Sequence, residues 1–184
     1  VTFLTGPVSE DTEITGPSAL KLFASSTTTD ADIFAILRVY TPDLQEVVFQ
    51  GAIDPHTPIA QGWLRASHRK LDETLTEPYR PYHTHDEIQP LTPGEAVELD
   101  VELWPSSIVV PTGYRIALTI RGCDYDYGHS GGKQSNFKNE MRGCGPFLHN
   151  DPRDRPEDIF GGRTTLHSVD GSAGYLLLPI IPKA

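Results

Sequence analysis

"EAVELDVELW", residues 95–104, alternates without a break: Val97, Leu99, Val101 and Leu103 fall between Glu98, Asp100 and Glu102. A period of two places the four aliphatic side chains on one face and the three acids on the other. That is a half-buried antiparallel strand whose acidic face meets water. The "TPG" at 92–94 supplies the turn that precedes it.

The same period recurs outward from this stretch. In "YRIALTI" (114–120), Ile116, Leu118 and Ile120 alternate with Arg115, Ala117 and Thr119, after a second turn at "PTG" (111–113). Further strands are expected at 1–5, 18–25, 33–40, 46–52, 61–67, 163–168 and 174–181, with "TPDLQE" (41–46) as a hairpin connection. Sixteen glycines and sixteen prolines punctuate the chain. Only "SNFKNEM" (135–141) suggests a short helix, and two long irregular stretches remain, about 68–90 and 122–162. The fold class is therefore all-β: a jelly-roll β-sandwich with long irregular loops. Its 184 residues suit a single domain, 1–184.

A formal net charge of −10 with no Lys/Arg cluster argues against nucleic acid and against anionic membrane surfaces. No apolar run nears the roughly 20 residues of a membrane span, and no signal peptide is visible. The start at Val1, already strand-like, suggests a piece of something longer. Two cysteines, Cys123 and Cys144, are too few for a disulfide scaffold, although their Gly-flanked loops leave one bridge open.

"GHSGG" (128–132) fits G-x-S-x-G, the nucleophile motif of serine hydrolases. That motif works only on a sharp turn directly between a strand and a helix. Here the preceding strand ends near Arg121, seven residues intervene before His129, and no firm helix follows. Ser130 is read as a loop residue, so no catalytic residue is assigned. "HTHDE" (83–87) offers His83 and His85 as an H-x-H pair, but in a Pro-rich loop without a following ligand; no metal is assigned. Asp124 and Asp126, like Asp30 and Asp32, have calcium-like spacing that turn chemistry explains equally well. No cofactor is expected.

In "QGWLRAS" (61–67), Leu64 and Ala66 face the core. Trp63, Arg65 and Ser67, continued by Arg69, share the outward face. Trp and Arg are the types enriched at interface hot spots, which makes these four the candidate contact surface. Trp63 and Trp104 also suit a core, and Tyr79, Tyr82, Tyr125 and Tyr127 sit in long loops. From the residues alone, an accessory domain and a carbohydrate-binding module stand level.

Several segments together favour the first. "EDTEITGPSALKLFASSTTTDADIFAILRVYTPD", "GWLRASHRKLD", "PLTPGEAVELDVELWPSS", "PTGYRIALTI", "GPFLHNDPRDRP", "GGRTTLH" and "YLLLPIIP" occur in the order that resembles the C-terminal non-catalytic domain of the X-Pro dipeptidyl-peptidase/cocaine-esterase serine hydrolases. The resemblance covers nearly the whole chain. It implies a galactose-binding-like jelly roll packed on an α/β-hydrolase domain of the same polypeptide and supporting its substrate entrance. The Ser-His-Asp triad, acting on peptide, ester or amide bonds, would lie upstream of this segment. No triad residue carries over to this chain, and "GHSGG" falls in the jelly-roll portion. A cytoplasmic location and self-association into a homo-oligomer are the remaining expectations.

Overall fold

A computed structural model describes residues 1–128, 141–146, 148–168 and 173–183. Among the described residues nine strands form: β1 (Thr2–Leu4), β2 (Thr12–Ser26), β3 (Asp32–Tyr40), β4 (Glu46–Val47), β5 (Ala60–Arg65), β6 (Val97–Val110), β7 (Arg115–Arg121), β8 (Thr164–His167) and β9 (Tyr175–Leu177). The only α-helix among the described residues is α1 (Glu157–Phe160). No helix of these residues is long and apolar enough to cross a membrane.

The strands make two antiparallel sheets. One runs β1-β7-β3-β4, with β5 also paired to β3; the other runs β6-β2-β8, with β9 also paired to β2. The all-β sandwich expected from the period-two pattern is what forms. Ile33, Ala35, Leu37 and Val39 of the first sheet meet Leu20, Leu22, Leu99, Val101 and Leu103 of the second, with Ile116, Leu118 and Ile120 alongside. These side chains remove most of their apolar surface from water, the dominant favourable term in folding.

The strand that opens the sequence reading behaves as its pattern dictates: Leu99, Val101 and Leu103 are buried, while Glu98, Glu102 and Trp104 are exposed. It then runs further than expected, to Val110. Past Trp104 and Pro105 the inward parity changes, so that Ile108 and Val110 point to the core. The register against β2 shifts at the same place, between Gly16 and Ser18. A bulge explains both, because an extra residue flips every side chain beyond it. Gly16 has φ +135°, a conformation that favours glycine.

Two expectations need correction. Ala117 and Thr119 are buried rather than solvent-facing. The Thr119 hydroxyl pairs with Thr2 at 2.9 Å and accepts from Arg38 at 3.1 Å, which fills that face of β7. The strand expected over 46–52 shrinks to Glu46–Val47, followed by an isolated bridge from Phe49 to Thr57. Both faces of β3 are buried, because Phe34 and Ile36 pack under Tyr125 from the long loop after β7. Ser130, the rest of the G-x-S-x-G motif after Gly128, and all of 135–141 but Met141 lie outside the described residues.

An apolar cleft of about 1160 Å³ is lined by Phe3, Ile33 and Leu118 of the first sheet and by Leu20 and Leu166 of the second. At the edge opposite β1, β5 closes directly on β6.

Candidate functional site

That closure depends on Gly62. A Cβ there would stand 1.8 Å from the Glu102 carbonyl oxygen, so only a residue without a side chain lets the two backbones approach. The next residue, Trp63, points outward. Trp104, two positions after Glu102 on β6, points outward beside it. The indole rings lie 5.2 Å apart with a 58° interplanar angle. Trp63 is 39% exposed and Trp104 60% exposed, so neither belongs to the core.

The His149 ring joins them, 5.0 Å from Trp63 and 5.4 Å edge-on to Phe34. Its position is fixed by one carboxylate. Asp124 accepts from the His149 backbone N–H at 2.7 Å and from Nδ1 at 2.8 Å. Nε2 has no hydrogen-bond partner among the described residues. The rings and Gly62 line a cleft of about 470 Å³ that Arg65, Glu102 and Asp154 border, and His68, His83 and His85 line it too.

Arg65 is the polar hinge of this face. Nε and Nη2 donate to the two oxygens of Asp32 at 2.9 and 3.1 Å, and Nη1 and Nη2 donate to Asp154 at 3.1 and 2.9 Å. Its guanidinium lies 4.4 Å from the Phe160 ring centre. The hydrogen bonds to Asp32, then those to Asp154, raise its pKa above the ordinary guanidinium value. Arg155 pairs with the other side of Asp32 at 2.9 Å.

The four residues expected to share one surface divide in two. Trp63 and Arg65 are on it. Ser67 is 2% exposed, and its hydroxyl donates to Asp30 at 2.6 Å. Arg69 donates to the backbone carbonyls of Ala66, at 3.1 Å, and of Gln89. The reason is local: β5 ends at Arg65 and Ala66–His68 form a 3-10 turn, so the period of two stops before Ser67.

The other candidates are engaged by the protein itself. Asp30 accepts from Ser67 N–H at 3.0 Å and Ala31 N–H at 2.9 Å; Asp126 pairs with Arg142 at 2.8 Å. His83 is held by an isolated bridge to Leu71, and its ring is 6.0 Å from that of His85. His85 Nδ1 lies 3.3 Å from His68 Nδ1. Burial, then His85, lowers the His83 pKa. Among the described residues no group of three or more His, Cys, Asp or Glu could hold a metal ion.

Tyr125, expected in an exposed loop, is 4% exposed and donates to Glu46 at 2.9 Å. Tyr127 stacks on His56 at 4.4 Å. Only Tyr79 and Tyr82 of the four loop tyrosines are exposed. Cys123 and Cys144 are not bridged. The Cys144 thiol, bonded to Gln61 Oε1 at 3.1 Å, is pushed up to about 12 mainly by burial.

Sequence reasoning missed the roles of His149 and Asp124. Nothing local marks them, because they meet across 25 residues of irregular chain. Trp104, expected from the sequence only to suit a core, carried a usable signal: it continues the even-numbered, outward parity of Glu98, Asp100 and Glu102.

The family described as "X-Pro dipeptidyl-peptidase C-terminal non-catalytic domain" matches residues 1–153. A Mycobacterium bovis protein whose name assigns it as a serine esterase is 34% identical over 132 residues, 67% of this chain and 19% of its own. A Streptomyces avermitilis protein named for Xaa-Pro dipeptidyl-peptidase is 28% identical over 142 residues, 67% of this chain and 21% of its own. The chain thus spans about a fifth of the length of these relatives. A CocE/NonD family hydrolase from Staphylococcus aureus superposes with a TM-score of 0.79 at 26% identity, over 98% of this chain and 30% of that one. An α-amino acid ester hydrolase shares the fold, with a TM-score of 0.59 at 16% identity, over 98% of this chain and 25% of that one.

Proposed function

As this chain belongs to the X-Pro dipeptidyl-peptidase C-terminal non-catalytic domain family, we propose that it buttresses an α/β-hydrolase domain of the same polypeptide and supports that domain's substrate entrance. The contact is made by the face that carries Trp63, Trp104 and Arg65. Residues 1–184 act as one domain, since β8 and β9, beyond the matched segment, complete the sheet on β2. The whole polypeptide hydrolyses a peptide, ester or amide bond with a Ser-His-Asp triad in the part upstream. Unbridged cysteines suit a reducing compartment, and the cytoplasm is assigned on that ground.

One observation carries the reading: two tryptophans from different sheets meet as an exposed aromatic pair at the edge where Gly62 lets β5 close on β6. Such a patch, rimmed by polar groups, marks a docking surface. The test is an assay of the 184-residue chain and of the longer polypeptide on p-nitrophenyl esters and X-Pro anilides. Turnover by the longer protein alone is expected. Turnover by the short chain that disappears in Ser130→Ala would overturn it.

A further inference from the structure

We infer that the cleft between Trp63, Trp104 and His149 receives an arginine side chain from the protein surface that docks on it. The inference rests on the docking reading above and names the chemistry of the partner.

Charge comes first. Asp32, Glu102 and Asp154 border the cleft with one guanidinium, Arg65, and with His68, His83 and His85 further along the lining, in a chain of formal net charge −10. Asp32 is already gripped by two guanidinium groups, and Asp154 by one. Glu102 is exposed, and its carboxylate has no hydrogen bond or ion pair among the described residues. It projects from the same face of β6 as Trp104, two residues away. A partner that covers Trp104 therefore also covers Glu102. Burying a carboxylate without a donor costs far more than the apolar contact returns. The partner must bring a cation to this point.

Shape decides which cation. The two indoles and the His149 imidazole line one part of the cleft, with centroid spacings of 5.2 and 5.0 Å, and His68, His83 and His85 line the rest. A planar guanidinium stacks on such faces, whereas an ammonium is a compact, strongly hydrated point charge. With Nδ1 donating to Asp124, the neutral form of the His149 ring presents Nε2 as an acceptor. Glu102 and Nε2 thus offer acceptors only. Arginine supplies five donors and no acceptor, the complementary set.

The experiment exploits composition: the chain has two tryptophans, and both are in the cleft. Intrinsic emission of the 184-residue chain is followed during titration with N-acetyl-arginine amide, N-acetyl-citrulline amide and N-acetyl-lysine amide. Citrulline keeps the planar shape without charge; lysine keeps charge without the plane. A saturable change with the arginine compound is expected, with roughly fivefold weaker apparent affinity for each of the others, the size of an exposed cation–aromatic contact. Glu102→Gln, a surface change, should bring the arginine response down to that of citrulline.

Equal responses to arginine and citrulline, or an arginine response that Glu102→Gln leaves intact, would overturn the inference. So would a response to hexoses with none to the arginine compound. Docking itself is read separately, by protection of Trp63 and Trp104 in the longer polypeptide. Protection without arginine preference rejects the cation and keeps the docking; absence of protection rejects the docking.

Discussion

The Trp63 and Trp104 rings meet at 5.2 Å although each belongs to a different sheet. Gly62 makes the meeting possible by letting β5 touch the Glu102 backbone. Gly62→Ala must push the two sheets apart at this edge, because the clash is with backbone rather than with a mobile side chain. The expected cost is about 3 kcal/mol, which lowers Tm by roughly 6–12 °C in a chain of this size. Differential scanning calorimetry checks it. A Tm within about 2 °C of the parent would contradict the close approach.

Asp54 is 2% exposed and accepts from three backbone N–H groups: His56 at 2.9 Å, Gly143 at 2.7 Å and Gly145 at 2.9 Å. It ties the segment around Cys144 to the 51–57 turn. Asp54→Ala orphans those donors and should cost about 3 kcal/mol. The thiol gives a local readout. With its pKa pushed up to about 12, Cys144 should resist iodoacetamide at pH 8, where its thiolate fraction is on the order of 10⁻⁴. Exposed Cys123 should react first. In Asp54→Ala the Cys144 rate should rise at least roughly tenfold as local opening increases; an unchanged rate would refute the tie.

Arg65 joins Asp32 on β3 to Asp154 before α1. Arg65→Gln should cost about 1–2 kcal/mol, since the side chain is partly exposed and Arg155 still neutralises Asp32. Arg65→Lys should recover less than half of that, because one ammonium cannot make two bidentate contacts. Asp154→Asn, at an exposed position, should cost under about 1 kcal/mol. Urea titration of the three variants measures the order; full rescue by Lys would contradict the geometry.

His83 sits among His68, His85 and Asp100, and burial, with His85, lowers its pKa. The folded chain therefore takes up this proton less readily than the unfolded chain does. Stability should fall as pH drops through the ordinary histidine range near about 6.5, and level off once the folded state also binds the proton. Tm measured from pH 8 to pH 5 should decline more steeply for the parent than for His83→Gln. Parallel curves would remove His83 from the pH dependence.

Much of the sandwich could be read from the chain. The alternation in Val97–Leu103 fixed inward and outward faces, that in Ile116–Ile120 the inward one, and "TPDLQE" formed the hairpin that joins β3 to β4. What escaped was non-local. Thr119 and Ala117 looked solvent-facing because the sequence does not reveal that Thr2 and Arg38 cover them. Ser67 looked outward because nothing in "QGWLRAS" announces the 3-10 turn at Ala66 that ends the period of two. The site showed the same division. Trp63 was expected to face outward and Trp104 only to suit a core, and the meeting of the two depends on which strand closes on which. His149 reaches them only through Asp124, a pairing that no spacing rule encodes.

The central claim is that the Trp63–Trp104 face is covered by the rest of the polypeptide. Hydroxyl-radical footprinting with mass spectrometry tests it most directly, comparing the 184-residue chain with the longer protein. Both indoles should be oxidised readily in the short chain and at least roughly tenfold more slowly in the longer one, as burial of an exposed ring requires. Equal oxidation rates in the two proteins would contradict the account.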